Sequence, residues 1–222
     1  MQFATWNVNS LTVRLPQVLS WLDETGTNVL LLQETKTTDD KFPHQAIEEA
    51  GYQVCFAGQK TYNGVAIIAK APLEDVSVGM GGWEDEQVRV ISATVGGLRL
   101  VNVYVPNGQQ VGSDKFAYKL AWPAHLHRWL QVELKQYPDL ILMGDFNVAP
   151  RDQDVHDPAI WEGSVLVSPE ERDALQAVLA LGLHDVFAEK PEGEVIYSWW
   201  DYRQAAFRRN MGLRIDLICV IS

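Results

Sequence analysis

The chain has 222 residues, with 18 Lys and Arg against 29 Asp and Glu, a formal charge of −11 at pH 7. That length suits one large domain or two small ones, and 47% hydrophobic residues with eight Trp can bury a core without disulfide or metal staples. The acidic balance argues against a protein that coats nucleic acid non-specifically, since such binding rests on Lys and Arg neutralising phosphates. It leaves room for a phosphate-cutting enzyme, which needs carboxylates to hold a cation and positive charge only where substrate lies.

The N-terminus passes directly into a strand-like run, with no basic region, long apolar segment or small-residue cleavage site. No apolar run approaches the ~18 residues of a membrane span, so a soluble cytoplasmic protein is expected. Residues 3–8 read as a strand. Residues 14–24 read as a helix, with Val18, Leu19 and Leu22 on one face and Pro16 in the first turn, where a missing N–H does little harm. Residues 29–34 form a buried strand ending on a carboxylate, and 44–50 a short helix stopped by Gly51. Strand-like runs follow at 52–56, 65–69, 88–95 and 98–104, the last two joined by the hairpin signal Gly96-Gly97. Asp114 is placed to cap a long helix reaching Gln136 with a kink near Pro123. Residues 140–143 are a buried strand leading into Gly144-Asp145-Phe146-Asn147, 169–181 a helix stopped by Gly182, and 213–221 a final strand. Cys55 and Cys219 sit in apolar stretches far from any Cys or His cluster and read as reduced core residues. Roughly ten strand-like runs with a few helices, without repeats, linkers or low-complexity tracts, predict an α/β domain of two packed sheets flanked by helices.

Polar residues gather where these buried strands end, the usual place for sites in α/β sheets. Asn7 and Asn9 follow the first strand, Gln33 and Glu34 the second, Asp145 and Asn147 the late one, while Arg214 and Asp216 lie within the predicted last strand. Any one of them alone would be read as a strand cap or turn. Asp216 sits in the apolar run 213–218, where a carboxylate is costly unless it has a partner. Hard oxygen donors from Asn, Glu and Asp, with no Cys or paired His, suit Mg²⁺ or Mn²⁺ better than Zn²⁺. The chemistry indicated is metal-assisted hydrolysis of a phosphoester.

The strings FATWNVNSL, LLLQETK, YNGVAI, NVYVPNG, LILMGDFNVAP, YSWWDYR and GLRIDLI, in this order and spacing, resemble the exonuclease III family of abasic-site endonucleases, within the endonuclease/exonuclease/phosphatase superfamily. The resemblance runs from Phe3 to the last residue. It implies a four-layer sandwich of two mixed β-sheets flanked by helices, as one domain over residues 1–222. It also implies Mg²⁺ as cofactor, with Mn²⁺ as substitute, and a monomer acting on double-stranded DNA that contains abasic sites or 3′ blocks, with no membrane or obligatory protein partner. Glu34 would be the main metal ligand with Asn7 beside it, and Asp145 and Asn147 complete the donor set. Asp145 would also act as general base on the attacking water, and Asn147 would donate to the phosphate as charge develops. Tyr104 would set its phenol against the scissile phosphate. Trp199 would wall the slot for a base-less deoxyribose, which an intact base cannot enter.

Asn63 and Arg89 match family positions near the phosphate or strand backbone more loosely, and Asn63-Gly64 reads equally as a hairpin turn. A basic edge for DNA is expected from Arg203, Arg208, Arg209 and Arg214, within twelve residues free of Asp and Glu, and from Lys115 opening the long helix. Lys119, one turn on, reads as part of a solvated face. Residues 152–157 look like a metal loop but lack the Gly and Glu an EF-hand needs, and read as a surface loop.

Family members close with a Ser-Asp-His element whose His pairs with the Asp matching Asp216. These 222 residues do not contain it. The expectation is a further segment beyond Ser222 carrying the last strand, the alternative being a protein that has lost a catalytic residue. Two other functions stay open: a catalytically silent nucleic-acid-binding or regulatory protein of this fold, and a phosphodiesterase for RNA or small phosphoesters.

Overall fold

The computed structural model describes residues 1–188 and 196–221. The chain divides into two compact units, one of Met1–Tyr104 with Glu133–Asp145, the other of Val105–Val132 with Phe146–Ser222.

The first unit runs β1 (Phe3–Asn7), α1 (Leu11–Thr25), β2 (Val29–Gln33), α2 (His44–Glu49), β3 (Gln53–Ala57), β4 (Val65–Ala69), β5 (Glu74–Val78), β6 (Val90–Val95) and β7 (Leu98–Tyr104). The last turn of α3 (Asp114–Gln136) and β8 (Leu140–Asp145) complete it. One sheet has the order β1-β2-β4-β3, with β1 and β2 parallel and the other pairs antiparallel. In the other, β5, β6 and β7 form an antiparallel run and β8 lies parallel to β7. The sheets pack face to face, β1 against β8, β2 against β7 and β4 against β6. Every residue of β2 and β4 is buried, so these strands are apolar throughout instead of alternating. Gln33 is the polar exception. Its Nε2 donates to Asn102 Oδ1 at 2.7 Å across the sheet interface, and Asn102 Nδ2 donates to the carbonyls of Leu32 and Ala66, both at 2.9 Å. A buried network satisfied in this way fixes how the two sheets align.

The outer face of the first sheet is covered by α1 and α2, whose Leu11, Val18, Leu22 and Ile47 join Leu30, Leu32, Ala66 and Ile68 in one core. Helix α1 starts three residues earlier than predicted, because Asn9 and Ser10 turn at positive φ and bring Leu11 into the core. Pro16 therefore lies in the second turn. Its missing N–H leaves only the carbonyl of exposed Thr12 to water.

The second unit holds most of α3 together with α4 (Pro158–Trp161), α5 (Pro169–Leu179), β9 (Leu183–Asp185), β10 (Trp199–Trp200), β11 (Gly212–Leu213) and β12 (Asp216–Ile221). Helix α5 begins on a capping box between Ser168 and Glu171 with Pro169 at its first position. Antiparallel pairs form between β9 and β12 and between β10 and β11. The single strand predicted over 213–221 is thus two. Arg214 leaves the ladder because its N–H donates to the Asp154 carbonyl at 2.9 Å, and Ile215 N–H goes to Ser198 Oγ at 3.0 Å. Cys55 and Cys219 are free thiols; Cys219 is buried as expected of a core residue, whereas Cys55 is only half-buried. No helix among the described residues is long and apolar enough to cross a membrane.

Candidate active site

Two parallel strand pairs of the first unit end on the candidate residues. Asn7 faces Gln33 in the last register pair of β1 and β2, and Tyr104 faces Asp145 in the last pair of β7 and β8. Gly144 is required for the second pairing, since a Cβ there would lie 2.0 Å from the Val103 carbonyl oxygen. Just past β2 the backbone turns left-handed at Glu34 and Lys36, both at φ 53. Such geometry costs about 1–3 kcal/mol per residue and persists only where surroundings over-determine it. Here Ser10 N–H donates to Glu34 O at 2.8 Å, Leu11 N–H to Thr35 O at 3.0 Å and Lys36 N–H to Asn63 O at 2.9 Å. Thr35 N–H is received by Gly64 O at 3.2 Å. A Cβ on Gly64 would meet Thr35 Oγ1 at 2.1 Å, so only glycine fits that turn.

The structure brings Asn7, Glu34, Tyr104 and Asp145 together. Asn7 Nδ2 donates to Glu34 Oε1 at 2.8 Å and to Asp145 Oδ2 at 2.9 Å, one amide bridging two carboxylates. The Tyr104 hydroxyl donates to Glu34 Oε1 at 2.8 Å, and Lys36 Nζ lies 3.1 Å from Glu34 Oε2 and 2.6 Å from Asn9 Oδ1. Burial alone would push the Glu34 carboxyl up, but the Asn7, Tyr104 and Lys36 donors together hold it below the usual range. Glu34 is therefore ionised at neutral pH. The Tyr104 phenol is held far above its ordinary value by burial and by the Glu34 and Asp145 carboxylates, so it stays a donor.

Arg89 packs against this group. Its guanidinium lies 4.7 Å from the Tyr104 ring centre, Nη1 donates to Tyr104 O at 3.0 Å, and Nε and Nη2 hold Gln87 Oε1 at 2.9 and 2.7 Å. Asn63 is buried in a left-handed turn with Nδ2 on Gln59 Oε1 at 3.0 Å, and its carbonyl supports Lys36. Lys36 joins the site without having been singled out for it, and it holds Asn9, which was noted only as a strand-end residue. Their signal was position, each two residues past a candidate ligand at a strand end.

In the second unit, Asn147 also adopts positive φ, with Nδ2 donating to Val105 O at 2.8 Å and Oδ1 accepting from Asn107 Nδ2 at 3.2 Å. Asp216 opens β12, and its N–H donates to Ser198 Oγ at 3.0 Å. Trp199 stands edge-on to Trp161, centroids 6.2 Å apart, over a core of Ala149, Val155, Leu166, Val167, Leu213 and Ile215. Lys115 is exposed on the first turn of α3. Lys119 is not on a solvated face: it is 2% exposed and donates to Asn107 O at 3.0 Å and Asn147 O at 2.6 Å.

The predicted basic edge is smaller than its sequence. Arg214 is buried between Asp154 Oδ1 at 2.8 Å and Asp185 Oδ2 at 2.7 Å. Arg203 is exposed but paired with Asp201 at 3.1 Å, leaving Arg208 and Arg209 exposed beside the projecting rings of Tyr202 and Phe207. Asp154 also corrects the surface-loop reading of residues 152–157. It is buried and receives both Arg214 and Arg151, so the segment is an ionic clamp.

The carboxylates of Glu34 and Asp145 fit a hard divalent cation, being oxygen donors with at least one kept ionised, while Asn7 turns its Nδ2 to both and its Oδ1 to the Asn9 N–H at 3.0 Å; an ammonium already rests on Glu34 Oε2. Among the described residues no group of three or more His, Cys, Asp or Glu is gathered to hold a metal.

Residues 4–220 match the model of the endonuclease/exonuclease/phosphatase family. The chain is 34% identical to exodeoxyribonuclease III of Haemophilus influenzae, over 99% of this chain and 87% of that protein. Among solved structures it is similar to a 3′ phosphatase from Neisseria bound to a product DNA hairpin, with 44% identity and a TM-score of 0.97 over 100% of this chain and 86% of that one. An AP endonuclease from Archaeoglobus fulgidus gives 37% identity and a TM-score of 0.92 over 99% and 86%. The two packed mixed sheets expected from the resemblance are those of this fold. The chain thus belongs to the endonuclease/exonuclease/phosphatase family, in its exonuclease III and AP-endonuclease branch of phosphodiester-hydrolysing DNA-repair nucleases.

Proposed function

We propose that this protein is a Mg²⁺-dependent nuclease that hydrolyses the phosphodiester 5′ to abasic sites in duplex DNA, with 3′–5′ exonuclease and 3′-phosphodiesterase activities. The observation that carries the reading is the Asn7 amide bridging Glu34 and Asp145 at 2.8 and 2.9 Å. Two carboxylates held on one donor can divide the labour of cation binding and proton removal, which either alone cannot do. Glu34, with Asn7 beside it, would hold the cation, which when bound polarises the phosphoryl oxygens. Asp145 takes the proton of the attacking water. Asn147 donates its amide hydrogen where negative charge develops, and Tyr104, kept protonated, turns its one O–H from Glu34 Oε1 to the phosphate when substrate enters. Asp216 orients the phosphate, and Trp199 walls the sugar slot. Arg203, Lys115 and the exposed arginines contact the DNA backbone, giving a small and salt-sensitive footprint.

The test is cleavage of a duplex with one abasic site in Mg²⁺. Incision 5′ to the site, abolished by EDTA and by Glu34→Ala or Asp145→Asn, is the expected result. A folded protein that leaves this duplex intact overturns the reading.

The higher identity to the Neisseria 3′ phosphatase than to the Archaeoglobus AP endonuclease favours a second reading, in which 3′ ends are the main substrate. A nicked duplex with a 3′-phosphate, offered in competition with the abasic duplex, ranks the two by kcat/KM.

A further inference from the structure

Lys119 and Glu171 form a buried ion pair in the second unit, the lysine 2% and the glutamate 3% exposed. A pair taken out of water is justified only when its remaining donors and acceptors are also satisfied. Glu171 accepts from Leu166 N–H at 2.9 Å, Ser168 N–H at 3.1 Å and Ser168 Oγ at 2.6 Å. Lys119 spends its other hydrogens on the carbonyls of Asn107 and Asn147. The pair is therefore a hub on which three loops converge, one with Asn107, one with Asn147 and one with Leu166.

Two of those loops are held in costly backbone. Asn147 is at φ 51 and Leu166 at φ 77, the latter unusual for a bulky buried side chain. Each is gripped by one half of the pair. The loops are also cross-tied, Ala149 N–H donating to Leu166 O at 2.8 Å and Arg172 Nε to Ala149 O at 3.0 Å. The pair borders a small apolar pocket of about 20 Å³ among Leu120, Pro123, Leu126 and Phe146, and with both side chains buried these charges act in low-dielectric surroundings.

We propose that Lys119 and Glu171 are positioning residues for catalysis, an internal strut that fixes the backbone of Asn147 and, through Asn107, the orientation of its amide. This rests on the reading of Asn147 as the donor to the developing phosphate charge. The strut touches neither DNA nor cation, and acts on the turnover step by holding one donor within the fraction of an ångström that preorganisation demands.

Replacing both charges, Lys119→Met with Glu171→Met, removes the strut without stranding a buried charge, and the adjoining pocket gives the methionines room. On the abasic duplex kcat is expected to fall on the order of 100-fold, with KM changed less than about threefold and cooperative melting retained. In an Asn147→Ala background the same double change costs almost nothing more, because the strut then has no donor to position. Wild-type cleavage with a folded double variant of unchanged kcat overturns the proposal and leaves the nuclease reading standing; so does a full, additive loss in the Asn147→Ala background. A wild-type protein that does not cut overturns the nuclease reading and this inference with it. Should the double variant not fold, Glu171→Gln carries the test: a kcat loss of about tenfold that vanishes in the Asn147→Ala background supports the strut, and full kcat overturns it.

Discussion

Tyr104 and Asn7 donate to the same atom, Glu34 Oε1, each at 2.8 Å, and they come from opposite sheets of the first unit. The carboxylate is thus pinned from both layers, and its ionised state is the joint product of these two donors and of Lys36.

Tyr104→Phe removes one of those donors while keeping the ring against Arg89. The Glu34 carboxyl rises back toward its ordinary value, about 4.3, and stays ionised at pH 7, so loss of charge is not the expected effect. A hydrogen bond to a charged group is worth roughly 1.5–3 kcal/mol. With the phenol also gone from the phosphate, kcat on the abasic duplex should fall by about 10- to 100-fold. Steady-state kinetics at saturating Mg²⁺ checks this, and an unchanged kcat would remove Tyr104 from the site.

Cation binding at Glu34 has a readout independent of turnover. A ligand that binds only the native state raises its stability by RT ln(1 + [L]/Kd), so Mg²⁺ at ~100 times its Kd adds about 2.7 kcal/mol. Thermal melting in Mg²⁺ should therefore lie several degrees above melting in EDTA for the wild type. Glu34→Ala should melt at one temperature in both. A Mg²⁺ shift that survives Glu34→Ala would place the cation elsewhere.

Most of this site was legible because it sits at strand ends. Runs such as Val29–Gln33 and Val65–Ala69 are buried on every residue, and polar side chains directly after such runs stand out. Strand β5 was not legible, since all of Glu74–Val78 is exposed and its only apolar residues, Val76 and Val78, are too few to mark a buried face. The break at Arg214 was hidden for the opposite reason: the apolar run continues in sequence while the backbone leaves the ladder for Asp154. Lys119 was misread by residue type. It occupies the stripe Phe116, Lys119, Trp122, Leu126, Trp129 that forms the buried face of α3, so its spacing carried the signal and its charge concealed it.

The thiols supply a check on the core. Burial pushes both Cys55 and Cys219 up to about 12. The thiolate is the reactive form, so at pH 8 only about one thiol in 10⁴ is competent at any instant. Native protein with iodoacetamide should show no mass increase over an hour, and two additions once denatured. Rapid native labelling of Cys219 would contradict its burial within β12, where it pairs with Asp185 of β9.

Asp154 gives a stability prediction with a definite sign. Burial opposes its charge, but hydrogen bonds from Arg214 and Arg151 hold its carboxyl below the ordinary range. A carboxylate depressed on folding contributes stability that is present in full above its unfolded value, about 3.9, and lost as pH falls through the lower folded value. Asp154→Asn leaves Arg214 buried with Asp185 as its remaining carboxylate, and breaking a buried ion pair in this way costs about 3–5 kcal/mol. At pH 7 the variant should melt well below the wild type, and the gap should narrow as pH drops below about 4, where the wild type protonates the same oxygen. Melting curves from pH 7 to 2.5 for both proteins test the sign. A gap that widens in acid would mean that Arg214 is neutralised chiefly by Asp185 and that Asp154 holds its loop by the backbone bond to Arg214 alone.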